Sequence, residues 1–246
     1  MIHGKRVVVV MPAYFAERTL AQTVDAVPMD VVDRILLVDD GSTDGTAALA
    51  SEMGILTAAH PSNRGYGANQ KTCYAAALEA GADVIVMVHP DNQYDPGLVP
   101  AMASMIALGR YDVVLGSRMH GRGPLAGGMP RYKYVANRLL TAAENRLTGR
   151  RLSEYHTGLR AFSRRALERI PWQRNSDDFV FDNQILIQAI HLDLEIGELA
   201  CPARYFPEAS SISLQRSMVY GLGVLRTMAA WQLHRSGVRR SALFEE

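Results

Sequence analysis

The chain has 246 residues, 48% hydrophobic and 21% charged, with 26 basic residues against 25 acidic ones. That is enough chain for one domain with a substantial core, and too apolar a composition for extended disorder. A net charge of +1 gives no broad cationic field, which argues against nucleic acid as a partner, so any phosphate must be held by locally placed Arg and Lys.

Cys73 and Cys201 form no C-x-x-C pair and lack zinc-type spacing, so they read as buried thiols in a reducing compartment. Pro12 cuts short the N-terminal apolar run, which predicts a buried strand and not a signal peptide. No run reaches about 18 apolar residues, so no transmembrane segment is expected and the expected location is cytoplasmic. Runs rich in Val, Ile and Leu at Arg6–Met11, Arg34–Val38, Ile55–Ala59, Val84–Val88 and Val113–Leu115 predict strands of a parallel sheet covered on both faces. Helical patterns lie between them, near Glu17–Ala26, Thr43–Met53, Ala68–Ala80 and Pro96–Leu108. This alternation predicts an α/β, Rossmann-like doubly wound sheet, on which ligands bind at the carboxyl ends of the strands.

After Ser117 the pattern changes. Residues 119–131 hold four glycines and two prolines and read as a loop. Helices are predicted over Tyr132–Leu147, Val180–His191 and Ser213–His234, a short strand over Leu159–Ser163, and an extended segment over 194–206. One domain is expected over 1–212, with a nucleotide half to about 118 and an acceptor half beyond it. A C-terminal amphipathic helix and tail follow over 213–246. That helix either packs on the domain or on a second copy in a homodimer, or lies on a membrane surface with Trp231 at the interface. Arg235, Arg239 and Arg240 permit weak attraction to anionic lipid.

The polar residues that follow the strands carry the chemistry. After the second strand stand Asp39 and Asp40, whose carboxylates can accept hydrogen bonds from a base or ribose, or simply sit solvated in a turn. Gly41 lets the chain turn there, and Ser42 or Thr43 can cap the next helix. Asn63 to Asn69 contain a lone G-x-G around Gly65, too little for a dinucleotide fingerprint, yet suited to a glycine turn feeding a helix N-terminus that faces a nucleotide. After the fourth strand, Asp91 and Gln93 offer oxygen ligands and His89 a nitrogen, a set that suits Mg or Mn completed by diphosphate oxygens. Asp95 reads as a helix cap. Arg118, after the fifth strand, can grip a phosphate through two hydrogen bonds or form an ordinary salt bridge.

In this order, PAYFAE (12–17), DDGSTDGT (39–46), NRGYGAN (63–69), HPDNQYDP (89–96), GSR (116–118) and HTGLRAFSRRAL (156–167) resemble the family 2 glycosyltransferases with the GT-A fold, and within them the dolichol- or polyprenyl-phosphate sugar synthases. The resemblance covers about residues 5–210. It implies that Pro12, Tyr14 and Glu17 surround the nucleotide base and that Asp39 reads the base or ribose. Asp91 and Gln93 match the last Asp and the Gln of a D-x-D-x-Q metal motif, with His89 in place of its first Asp. Arg118 and Arg131 look like phosphate-binding groups, and Arg160 resembles an Arg near the acceptor. In Phe179–Gln184, Asp182 is kept while Gln184 replaces a family Glu.

The expected reaction is inverting transfer from a UDP- or GDP-linked sugar, with a lipid phosphate or a soluble hydroxyl compound as acceptor. A lipid phosphate is already anionic and needs no base. For a hydroxyl acceptor Asp182 is the candidate base, unless it only caps the following helix. Arg118 would stabilise the leaving diphosphate. His156 either touches the acceptor phosphate or bonds a nearby carbonyl. A non-catalytic nucleotide-sugar-binding protein is the alternative. A nucleotidyltransferase would need a glycine-rich basic loop after the first strand, which PAYFAE is not.

Overall fold

The computed structural model describes residues 1–120, 124–202, 205 and 214–245. Seven strands form one sheet among these residues: β1 (Val7–Ala13), β2 (Arg34–Asp39), β3 (Leu56–Ala59), β4 (Val84–Met87), β5 (Val113–Ser117), β6 (Arg160–Ser163) and β7 (Ile196–Ala200), in the spatial order β3-β2-β1-β4-β6-β5-β7. β6 pairs antiparallel with both β4 and β5, and the other pairings are parallel. The sheet is therefore mostly parallel, with one reversed strand wedged between the two halves.

The predicted strands are all present, and the reason is visible in β1. All seven of its residues are buried. Val8 and Val10 point into one core layer, and Val7, Val9 and Met11 into the other, as the two-residue period of a strand requires. One layer lies under α3 (Tyr66–Glu79), α7 (Phe181–His191) and α8 (Leu214–Arg235). The other includes Leu20 of α1 (Leu20–Asp25), Ala50 of α2 (Thr46–Glu52) and Met102 of α4 (Val99–Ala107). Met228 and Trp231 of α8 belong to the first layer, so one face of the C-terminal helix packs on the domain.

Differences from the sequence reading have local causes. β6 is antiparallel, which its four residues, RAFS, do not announce. α2 is not capped by Ser42 or Thr43. Asp44 Oδ1 takes the Thr46 N–H at 3.1 Å, and the Ser42 side chain turns back to Asp39. The sequence reading has no helix at α6 (Arg164–Arg169), whose N-terminus Ser163 caps by accepting from Ala166 N. The helix expected from Pro96 begins as a short 3-10 turn, with Asp95 accepting from Gly97 N at 2.9 Å. The proposed boundary at 212/213, residues 121–123 of the glycine-rich loop and most of 203–206 lie outside the described residues.

Arg160 opens β6 and is fully buried. Its Nε donates to Thr157 O at 2.7 Å, Nη2 to Tyr155 O at 3.0 Å, and Nη1 to Asp182 O. It thereby fastens the start of α7 to the turn before β6. Arg160→Met should destabilise the fold by about 3 kcal/mol or more, because three carbonyls lose a charged donor in a dry site. Urea unfolding followed by circular dichroism would show it as a lower midpoint with an unchanged slope.

Candidate active site

The strand ends of the nucleotide half are stitched together by their own polar groups. Ser42 Oγ accepts from Phe15 N at 2.9 Å, Thr46 Oγ1 from Ala16 N at 2.9 Å, and Glu17 Oε2 from Gly45 N at 3.0 Å. Asp40 accepts from Arg64 N at 2.9 Å and Gly65 N at 3.0 Å, and meets His60 Nδ1 at 2.6 Å. Asp40 therefore holds the 63–65 loop. Asp39, its neighbour, accepts from Ser42 N at 3.0 Å. Pro12 sits buried in β1, while Tyr14 is 50% exposed at the rim.

Two glycines are required here. Gly41 has φ +75, and a Cβ on it would lie 2.7 Å from Ser62 C. Gly65 has φ +103, and a Cβ would lie 2.5 Å from Asp177 O. The loop around Gly65 thus meets residue 177, distant in sequence, through main-chain atoms, joined by Gly67 N donating to Asp177 O at 2.7 Å.

Beside this seam lies a cavity of about 620 Å³. Its wall at the end of β4 is made by His89, Asp91 and Gln93, its far wall by Lys133 and Asn137 of α5 (Arg131–Thr148), and its floor includes Arg118, His156 and Asp182. Asp91 and Gln93 are nearly buried, and Asp91 Oδ1 accepts from Gln93 N at 3.0 Å. No three His, Cys, Asp or Glu side chains among the described residues group to hold a metal alone. The oxygen pair does fit a hard cation that takes its remaining ligands from a diphosphate. His89 lines the same cavity, with its ring stacked on Tyr66 and Nε2 3.2 Å from the Tyr66 hydroxyl.

Asp182 is in the first turn of α7, whose N-cap is Val180, so it is not a cap. Its Oδ2 accepts from the Tyr66 hydroxyl at 2.7 Å and its Oδ1 from Gln70 Nε2 at 3.0 Å. Burial and then the Asp182 charge push the Tyr66 hydroxyl well above the usual phenol range, which keeps it a donor. Tyr66 also stacks on Phe179 at 4.7 Å. The His156 ring meets no backbone carbonyl: Nδ1 meets the Tyr220 hydroxyl of α8 at 2.7 Å. Its Nε2 is 3.1 Å from Glu144 Oε2, out of hydrogen-bond alignment.

Two predicted phosphate groups are placed differently. Arg131 is an exposed residue at the start of α5 and does not line the cavity. Arg160 lies beneath the floor, committed to backbone carbonyls, and not on the acceptor side. Arg118 does line the cavity, but it is bound to Glu154, which is fully buried. Arg118 N donates to Glu154 Oε2 at 2.8 Å and Nε to Oε1 at 2.9 Å, while Nη1 reaches the Tyr205 hydroxyl at 2.8 Å. Burial alone would raise the Glu154 pKa, but Arg118 outweighs it and holds the carboxyl below its usual range. Lys133 takes up the position near the cavity that Arg131 was expected to fill. Burial and the nearby Arg118 charge lower its pKa. Glu154, Tyr66, Gln70 and Lys133 were missed from sequence. Glu154 alone carried a signal, an acid two residues before the HTG turn.

This is a mostly parallel α/β sheet with a carboxylate and an amide at the β4 end, beside a cavity at the carboxyl ends of the parallel strands, where such sheets bind their ligands. The model of the family "Glycosyl transferase family 2" matches residues 8–171, and the chain belongs to that family. It is 33% identical over 84% of its length to the low-salt glycan biosynthesis hexosyltransferase Agl6 of Haloferax volcanii, of which it spans 49%. It is 28% identical to the UDP-N-acetylglucosamine–dolichyl-phosphate N-acetylglucosaminyltransferase of Methanococcus voltae, over 82% of this chain and 86% of that one. The fold matches glucosyl-3-phosphoglycerate synthase of Mycobacterium tuberculosis in complex with UDP, with a TM-score of 0.71, 22% identity, and coverage of 97% of this chain and 82% of that chain. That synthase is also known with Mn2+, UDP-glucose and phosphoglyceric acid, and with Mg2+ and UDP.

Removing Arg118 strands a dry carboxylate. Arg118→Ala should destabilise the protein by about 3–5 kcal/mol, and adding Glu154→Gln should restore part of it, read by thermal unfolding. The sign with pH follows from the depressed Glu154 pKa. Its stabilisation is complete above the ordinary glutamate value of about 4.3 and is lost as pH falls toward the folded value. The gap between wild type and Arg118→Ala should therefore narrow in acid.

Proposed function

We propose that the protein transfers a hexosyl group, with inversion, from a uridine-diphosphate sugar to a phosphate-terminated acceptor, a polyprenyl phosphate. The observation that carries this reading is the cavity itself. It is lined by Asp91 and Gln93, which suit a metal-bound donor diphosphate, and by Lys133 and Arg216, which suit an anionic acceptor. The relatives' names support a uridine nucleotide and a dolichyl-phosphate acceptor.

In this reading Asp39, Tyr14 and the loop around Gly65 bind the nucleoside. Asp91 and Gln93 hold Mg or Mn, which when bound neutralises charge growing on the leaving diphosphate. Arg118, fixed by Glu154, adds a positive potential at the floor without moving. Lys133 draws the acceptor phosphate into line with the sugar, and the anionic oxygen attacks without a base. Asp182, oriented by Tyr66 and Gln70, faces the same cavity and would accept the proton of a hydroxyl acceptor. That second reading has support from the structural neighbour bound to phosphoglyceric acid.

Thermal unfolding with UDP, GDP and their sugar conjugates, with and without Mn2+, tests the donor side. A ligand at about 100 times its Kd stabilises by about 2.7 kcal/mol. UDP should do so with Mn2+ present and lose the effect in Asp91→Ala. Absence of any nucleotide effect would remove the basis of the proposal. Transfer from labelled UDP-sugars to polyprenyl phosphate, free polyprenol and phosphoglycerate then separates the acceptors, and a product from phosphoglycerate alone favours the second reading. Lys133→Ala should cut transfer to a phosphate acceptor by about 10- to 100-fold, the worth of one charge-assisted hydrogen bond. Because the Lys133 pKa is lowered, activity should fail on the alkaline side earlier than an ordinary lysine predicts. Lys133→Arg should carry that limb to higher pH in a kcat/KM profile.

A further inference from the structure

α5 is built inside out. The residues it buries are polar: Asn137, Thr141 and Glu144. Asn137 Nδ2 donates to Glu154 Oε1 at 2.8 Å, Thr141 Oγ1 to Asn137 Oδ1 at 3.3 Å, and Glu144 accepts from Asn183. Its opposite face is apolar and exposed. Tyr132 is 48%, Val135 53% and Leu139 67% accessible, and Ala142, Ala143 and Leu147 continue the same stripe at helical spacing. A globular helix that only covers a core has the reverse arrangement.

α8 repeats the pattern on its outer side. Val224, Met228 and Trp231 are buried, while Met218, Leu222 and Leu225 are 59%, 55% and 50% exposed. The helices run side by side in the same direction. Lys133 and Arg216 near their starts line one cavity, and near their ends Gln232 Nε2 donates to Leu147 O at 3.0 Å. Neither helix has an Asp, and their one Glu is the buried Glu144. Arg138 and Arg146 are exposed on the outer side of α5 and Arg226 on the outer side of α8, among the apolar side chains, while Arg235 stands at the inner side of α8 over the ring of the buried Trp231. A chain of net charge +1 has thus gathered exposed cations and exposed aliphatic side chains on one pair of helices and kept exposed acids off it.

We propose that α5 and α8 together form a docking surface for an anionic lipid bilayer, with the cavity mouth opening between their first turns. Apolar side chains enter the acyl boundary and the arginines meet lipid phosphates. No helix of the described residues is long and apolar enough to cross a membrane, so the pair lies on the surface. A second protein copy would have to supply acids to match this face, whereas an anionic leaflet supplies negative charge everywhere. The surface deepens the polyprenyl-phosphate reading and draws its meaning from it: a lipid phosphate would pass from the headgroup layer straight to Lys133.

The test uses the full chain and vesicles without any polyprenyl phosphate, so docking is read separately from transfer. Co-sedimentation is compared for phosphatidylcholine vesicles and for vesicles of phosphatidylcholine with an equal part of phosphatidylglycerol. The wild type should partition onto the anionic vesicles and be released by high salt. Leu139→Glu with Leu222→Glu, both on exposed positions outside the cavity lining, should weaken that binding by about tenfold or more. The nucleotide-induced thermal shift of this variant should be unchanged, which shows that it is folded. Equal binding by the double variant, or no binding by the wild type, overturns the proposal. So does a wild-type dimer in light scattering that the same substitutions dissociate, because the face would then be covered by a second copy. Docking without transfer to polyprenyl phosphate would leave this surface standing and remove the acceptor assignment instead.

Discussion

The buried pair of Arg118 and Glu154 is the constraint on which the acceptor half is built. It joins the end of β5 to the segment before the HTG turn, and Glu154 reaches on to Asn137 of α5. Two opposite charges taken out of water are stable only while both are present and their remaining valences are filled. Arg118 is filled by Glu154 and the Tyr205 hydroxyl, and Glu154 by Asn137 and the Arg118 main chain. The Arg118 guanidinium is therefore oriented before any ligand arrives. That is what electrostatic preorganisation needs, since a guanidinium already oriented does not reorganise during the reaction.

The same economy governs the other polar groups. Asp182 is held by Tyr66 and Gln70, Asp40 by the amides of residues 64 and 65, and Arg160 by three carbonyls. These side chains are spent on one another or on the main chain, so they hold the frame of the cavity in place.

How much of this was legible in sequence depended on the kind of signal. β1, β2 and β4 were readable because their aliphatic runs must be buried on both faces, and the turn after β2 because Gly41 must take a positive φ. The Asp91–Gln93 pair was readable because a polar cluster directly follows a buried strand. What was not readable is direction. Asp39 and Asp40 are adjacent, so they face opposite ways, and nothing in the string says which one turns to the loop. Arg160 sits in a motif that points to the acceptor, yet composition cannot distinguish an arginine aimed at a ligand from one aimed at carbonyls. The reversed β6 was hidden for another reason: four residues covered on both sides look the same in either orientation. α5 was found as a helix, but the polarity of its two faces depends on Glu154 and Asn183, which are distant in sequence.

The seam at Gly65, Gly67 and residue 177 has a consequence for how such enzymes diversify. The loop after β3 and the segment before α7 meet there through main-chain atoms, at a spacing that admits no added side chain. Substitution cannot tune that junction, so it acts as a fixed hinge line in sequence space. The wall formed by α5 and α8 has no such restriction, because its lining comes from side chains on the surface of two helices. In the proposed reading, selection for a new acceptor rewrites that wall while the machinery that handles the activated sugar is inherited unchanged. A single scaffold of this kind can therefore give rise to many acceptor preferences from one donor chemistry.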